Sequence, residues 1–140
     1  MTRDVEERLT RVLGHMPYAT FLGVKGIVEE TGEILALMTF KDDIIGNPVL
    51  PAIHGGALGA FLELAAAMRL GLEREDGKPP LTIGVTVEYL RPGRPKDTYA
   101  RASIKRLGRR IANVHVEAWQ DAAQTPIALL QGRFLMPGED

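Results

Sequence analysis

A chain of 140 residues has the length of one ordinary domain, residues 1–140, and its 45% hydrophobic and 25% charged content is that of a folded globular protein. A net charge of −1 with 6% aromatics gives no overall pull toward nucleic acid or a membrane, and the lack of cysteine removes disulfides, thiolate metal sites and thiol nucleophiles. The opening segment MTRDVEERLTRVLGH is charged throughout and has no apolar centre, so it does not read as a secretory signal, and a cytoplasmic location is expected.

Val5, Leu9, Val12, Leu13 and Met16 recur at helical spacing, and Gly14 with Pro17 ends that helix. Residues 21–29 and 33–40 then read as two strands joined by the tight turn Glu30-Thr31-Gly32, a hairpin. Residues 41–53 hold Gly46, Asn47, Pro48 and Pro51 and read as a loop without regular structure. The longest apolar run, residues 52–72, contains His54, Glu63 and Arg69, too much charge for a membrane span. It predicts a helix over 54–72 that is apolar nearly all round and therefore enclosed by other structure. Four strands follow over 81–91, 98–107, 110–120 and 127–136, with turns at Gly108 and at 121–126. Leu81, Ile83, Val85, Val87 and Tyr89 are expected on one face of the first of these strands. Ala112, Val114, Val116 and Ala118 are expected on one face of the third. The order predicts an α+β domain in which a curved antiparallel sheet, its last four strands a meander, wraps a central helix.

The stretch from Asn47 to Glu63 carries the chemistry. A glycine pair, Gly55-Gly56, opens the long helix directly after a loop, where the first-turn amides have no internal partner and sit at the positive end of the dipole. Glycine lets a carbonyl approach closely, so the Gly55 or Gly56 amide is a candidate oxyanion donor. Glu63 is the only acid between Asp43 and Glu73, among apolar neighbours; burial there would raise its pKa and suit it to act as a base. Eight residues of helix separate Gly55 from Glu63, about 12 Å, too far for both to reach one carbonyl. If both act on one substrate, Gly55 of one chain must meet Glu63 of another, which predicts an obligate dimer of antiparallel helices with two equivalent sites.

Asn47, the His54-Gly55-Gly56 helix start, Glu63 eight residues after the first glycine, and the strand Thr82-Ile83-Gly84-Val85-Thr86-Val87-Glu88-Tyr89-Leu90-Arg91-Pro92 together resemble the hotdog-fold acyl-CoA thioesterases of the phenylacetate-pathway (PaaI) type. The resemblance implies hydrolysis of an acyl-CoA to free acid and coenzyme A, with no cofactor and no metal. Gly55 would polarise the thioester carbonyl, and Glu63 of the partner chain would be the general base for water or the nucleophile. Asn47 and His54 would place the thioester or order the loop, and Thr82 would orient the attacking water. Dimers of dimers, with coenzyme A lying along basic surface, are also implied, so a homodimer at least and a homotetramer are expected.

Each of these residues also has a plainer reading. The glycine pair can serve close helix packing, Glu63 can be a structural acid, Asn47 can cap its loop, and Thr82 can be an ordinary strand residue. His15, His54 and His115 form no ligand motif, so His54 reads as structural or substrate-positioning rather than metal-binding. Between Arg91 and Arg110 stand eight basic residues against one acid, Asp97. Arg91 and Arg94 are the first candidates for the coenzyme A phosphates. Phe21, Leu22 and Phe61 are candidate walls for the acyl group, with Gly56 and Phe61 at the substrate. A hotdog dimer that binds acyl-CoA or another apolar ligand without turnover is the competing reading. A dehydratase would need a histidine paired with the helix acid, and the loop leading to His54 offers none before it, while Ser103 lacks a G-x-S-x-G setting.

Overall fold

The computed structural model describes residues 2–138. Helix α1 (Thr2–Gly14) turns Leu9 and Val12 into the core. Strands β1 (Val24–Val28) and β2 (Ile34–Met38) form the expected hairpin, with Gly32 at φ 89° in its turn. The long helix α3 (Gly55–Gly71) is followed by β5 (Leu81–Tyr89), β6 (Thr98–Leu107), β7 (Ile111–Trp119) and β8 (Ala128–Leu135). All sheet pairs are antiparallel, in the order β1-β2-β6-β7-β8-β5.

The core lies between α3 and the concave face of this sheet. Phe61, Leu62 and Met68 of the helix are sealed against Val114, Val116, Leu130 and Phe134. Buried Ala112, Val114, Val116 and Ala118 alternate along β7 with more open Asn113, His115 and Glu117, the period-two pattern of a half-buried strand. This is the hotdog arrangement. No helix among the described residues is long and apolar enough to cross a membrane.

Four expectations need correction. Residues 21–29 are not one strand: a short helix α2 (Pro17–Leu22) comes first, started by Pro17 and stopped by Gly23 at φ 76°, and β1 begins only at Val24. Proline at the start and a left-handed glycine at the stop mark a helix too short to show a period. Residues 41–53 are not structureless. A 3-10 turn (Asp42–Ile44) leads into the small hairpin of β3 (Ile45–Asn47) and β4 (Ala52–Ile53), anchored by buried Ile44 and Ile53.

The last four strands are not a meander either. Only β6, β7 and β8 follow one another; β5 pairs with β8 and stands at the sheet's edge. Helix α3 crosses the concave face, so the chain emerges beyond β8, and β6 must return to pair with β2. Finally, α3 is not enclosed all round in the protomer. Leu58, Phe61, Leu62, Ala65, Ala66 and Met68 are buried, whereas Gly56, Gly59, Ala60, Glu63 and Leu64 form a partly open stripe.

Candidate active site

The first turn of α3 is built around His54. As the residue that caps this helix, it accepts the Gly56 N–H on Nδ1 at 2.8 Å. An accepting Nδ1 puts the proton of the neutral ring on Nε2. A Cβ on Gly56 would lie 2.9 Å from the imidazole, so glycine is what lets the ring fold back over the helix start. This cap consumes the Gly56 amide. The Gly55 N–H takes no partner among the described residues, so of the two candidate donors Gly55 alone stays available.

Asn47 acts within its own loop: its Oδ1 accepts the N–H of Val49 at 2.9 Å and of Leu50 at 3.2 Å. That is a side-chain-capped turn. It holds a hairpin tip on which Val49 and Leu50 stand exposed.

Two turns further along α3, Glu63 meets Thr82 of β5. The Thr82 hydroxyl donates to Glu63 Oε2 at 2.6 Å, a short bond of the charge-assisted kind. Simple alternation along β5 would turn Thr82 away from Val85, Val87 and Tyr89. The register slips by one between Thr82 and Gly84, leaving Ile83 unpaired. One extra residue in a strand reverses the parity of everything before it. Thr82 therefore stands opposite buried Phe134 and faces the helix, as do Val87 opposite Leu130 and Tyr89 opposite Ala128. The bulge breaks the expected common face, since Leu81 pairs with Leu135 on the other side. Glu63 itself is partly open to solvent in the protomer, not stripped of water on every side as its apolar neighbours in sequence suggest.

The two halves open into separate clefts. One, about 370 Å³, is walled by Met16, Tyr18, Leu64, Ala67, Pro79 and Pro80 around Glu63 and Thr82. The other, about 360 Å³, lies between Gly55, Leu58, Tyr89, Arg91 and Ile53. Phe61 and Leu22 line neither cleft; both are sealed in the core. Phe21 is exposed, stacked on Tyr18 with Lys41 over its ring, and also lies outside both clefts. The wall residues Met16 and Tyr18 come with α2, whose Pro17 and Gly23 brackets were the available signal.

The basic run does not form one patch. Arg91 lines the Gly55 cleft and donates to the Pro126 carbonyl. Arg94 is exposed, with its backbone N–H held by Gln120 Oε1 at 3.0 Å. Lys96 pairs with Asp121, and Arg101 with Glu33 and Glu117. Lys105 lines a cleft on the outer sheet face, while Arg109 and Arg110 form part of the β6–β7 turn.

Comparison with known proteins gives these features a context. The family model described as Thioesterase superfamily matches residues 50–127, the segment from the loop before α3 to the start of β8. The medium/long-chain acyl-CoA thioesterase YigI of Escherichia coli K12 is 29% identical over 118 residues, covering 74% of this chain and 75% of that protein. A solved structure from Chromobacterium violaceum is 31% identical, with a TM-score of 0.74 over 99% of this chain and 98% of that one. A phenylacetic acid degradation-related protein from Ralstonia eutropha is 26% identical, with a TM-score of 0.77 over 92% and 99% of the two chains.

Proposed function

This chain belongs to the thioesterase superfamily, and from that membership we propose that it hydrolyses acyl-CoA thioesters at sites shared between two copies of itself. The observation that carries this reading is the split site. A free Gly55 amide and a Thr82-held Glu63 carboxylate stand on the open side of one helix, each in its own half-cleft, about 12 Å apart. Two antiparallel copies of α3 would join the Gly55 cleft of one to the Glu63 cleft of the other, twice, by symmetry.

The edge strand supports the same pairing. On β5, Leu81 is 69% and Tyr89 54% exposed, and its outer edge pairs with nothing among the described residues. An apolar, unpaired edge is a surface that another strand completes. Small Gly56, Gly59 and Ala60 on the open stripe would let the two helices approach closely.

In the joined site the thioester carbonyl accepts the Gly55 N–H. Glu63 of the other copy takes a proton from water, whose oxygen attacks the carbonyl carbon. Thr82 holds Oε2 and leaves Oε1 for that water. The tetrahedral intermediate places its negative oxygen on the Gly55 amide. Its collapse breaks the C–S bond, and the proton held by Glu63 passes to the departing thiolate, giving free acid and coenzyme A. The walls Met16, Tyr18, Leu64 and Ala67 suit an apolar acyl chain, in keeping with the medium- and long-chain substrates for which YigI is named. Arg91, beside Gly55, is the candidate for a coenzyme A phosphate.

The test is thiol release from a panel of short-, medium- and long-chain and aryl acyl-CoA esters, by the native protein and by Glu63→Gln. Turnover on at least one ester, falling by about 100-fold or more in Glu63→Gln, is expected. No turnover on any ester by the native protein, or full turnover by Glu63→Gln, would overturn the proposal.

A further inference from the structure

We propose that Tyr89 is a positioning residue for the Gly55 amide, fixing the direction in which that N–H points; this rests on the reading of Gly55 as the oxyanion donor. A donor is useful only if it is aimed before the charge develops. Gly55 is poorly equipped to aim itself. It lacks a side chain, its backbone is the most permissive of any residue, and first-turn amides have no helical partner to hold them.

The structure anchors the peptide unit that follows the Gly55 Cα at both of its polar atoms. His54 clamps the next amide, Gly56, at 2.8 Å. Tyr89, reaching from β5, donates its hydroxyl to the Gly55 carbonyl at 2.7 Å. Its ring lies where a Cβ on Gly55 would meet it at 3.6 Å, so the phenol covers the Gly55 backbone as well as bonding it. Both contacts hold the peptide plane between Gly55 and Gly56, while the plane that carries the Gly55 N–H is held at its other end, where the His54 carbonyl accepts the Leu58 N–H at 3.0 Å; Tyr89 therefore acts on the Gly55 N–H across a single Cα. The hydroxyl also fits a gap kept open by Gly59, where a Cβ would come within 3.0 Å of it.

Tyr89 and Thr82 lie on one strand and face the same side, because the bulge at Ile83 aligns them. One strand thus steadies both halves of the chemistry, the carboxylate through Thr82 and the amide through Tyr89. Tyr89 acts through Gly55 and not on the substrate, so its loss should appear in turnover rather than in binding.

The experiment compares Tyr89→Phe with the native protein and with Glu63→Gln in the thiol-release assay, together with Kd for coenzyme A and Tm. Tyr89→Phe keeps the ring and removes one neutral hydrogen bond, so kcat should fall on the order of tenfold, with KM, Kd and Tm nearly unchanged. Native kcat in Tyr89→Phe alongside an inactive Glu63→Gln overturns the role of Tyr89 and leaves the site standing. A tenfold rise in KM with kcat unchanged overturns it too, since that marks a substrate contact. An active Glu63→Gln would instead overturn the site on which the inference rests.

Discussion

A site divided between two copies can be tested by breaking each half in a different chain. Gly55→Pro removes the proposed donor and little else. Proline is accepted at the first helical position, and the residue before it must be extended, as His54 already is at φ −58°, ψ 130°. Side-chain volume there meets the Tyr89 ring at ordinary contact, 3.6 Å. Loss of one oxyanion donor costs about 2.7–4 kcal/mol, or roughly 100- to 1,000-fold in kcat. Glu63→Gln removes the proposed base from the other half. Each variant alone should be nearly inactive. Co-expressed under two affinity tags, they yield a mixed dimer with one intact site, built from Gly55 of the Glu63→Gln chain and Glu63 of the Gly55→Pro chain. The purified mixed dimer should recover roughly half the native rate, and an unsorted equal mixture roughly a quarter. No recovery in a mixed dimer shown to be assembled would refute the division of the site.

Two further predictions concern stability. Phe61→Ala should destabilise by about 3–5 kcal/mol, because the ring is sealed between α3 and the sheet; below its lowered Tm, KM for acyl-CoA should stay native, since Phe61 lines neither cleft. Asp76, held by Arg74 and by the Lys78 N–H in the turn from α3 to β5, has its pKa lowered to about 2, chiefly by the Arg74 hydrogen bond. A depressed carboxylate pKa gives stability that is complete above the unfolded value near 3.8 and is lost as pH falls toward 2. The Tm difference between native protein and Asp76→Asn should therefore shrink across that interval. A difference that stays constant from pH 5 to about pH 2 would refute the assignment.

How far this molecule could be read from its residues depends on the range of the interaction involved. The long helix, the first hairpin and the alternating strand β7 were legible because apolar spacing is a local signal. The Gly55 and Glu63 positions stood out for the same reason, a glycine pair and a lone acid within one apolar run. Strand order was not legible. Whether β5 pairs with β6 or β8 depends on where α3 delivers the chain, which no residue of β5 encodes. Burial around Glu63 was misread because an apolar stripe in sequence does not say whether its cover belongs to the same chain. Phe61 and Leu64 are both apolar and three residues apart, yet one is sealed in the core and the other borders the Glu63 cleft.

The least legible feature is the one on which the site's geometry turns. Neither Thr82 nor Ile83 carries a mark that the ladder slips between Thr82 and Gly84, and Gly84 is only a hint that an extra residue fits there. Without the slip, a strand that shows Val85, Val87 and Tyr89 to the helix would turn the Thr82 hydroxyl to the opposite face. The bond to Glu63 would then be lost while the one to Gly55 survived. The same strand is also the unpaired edge of the sheet, so a partner that docks along β5 would bear on Thr82 and Tyr89 together. In the proposed dimer, the contact between the two copies and the alignment of the proposed donor and base would both run through this one strand.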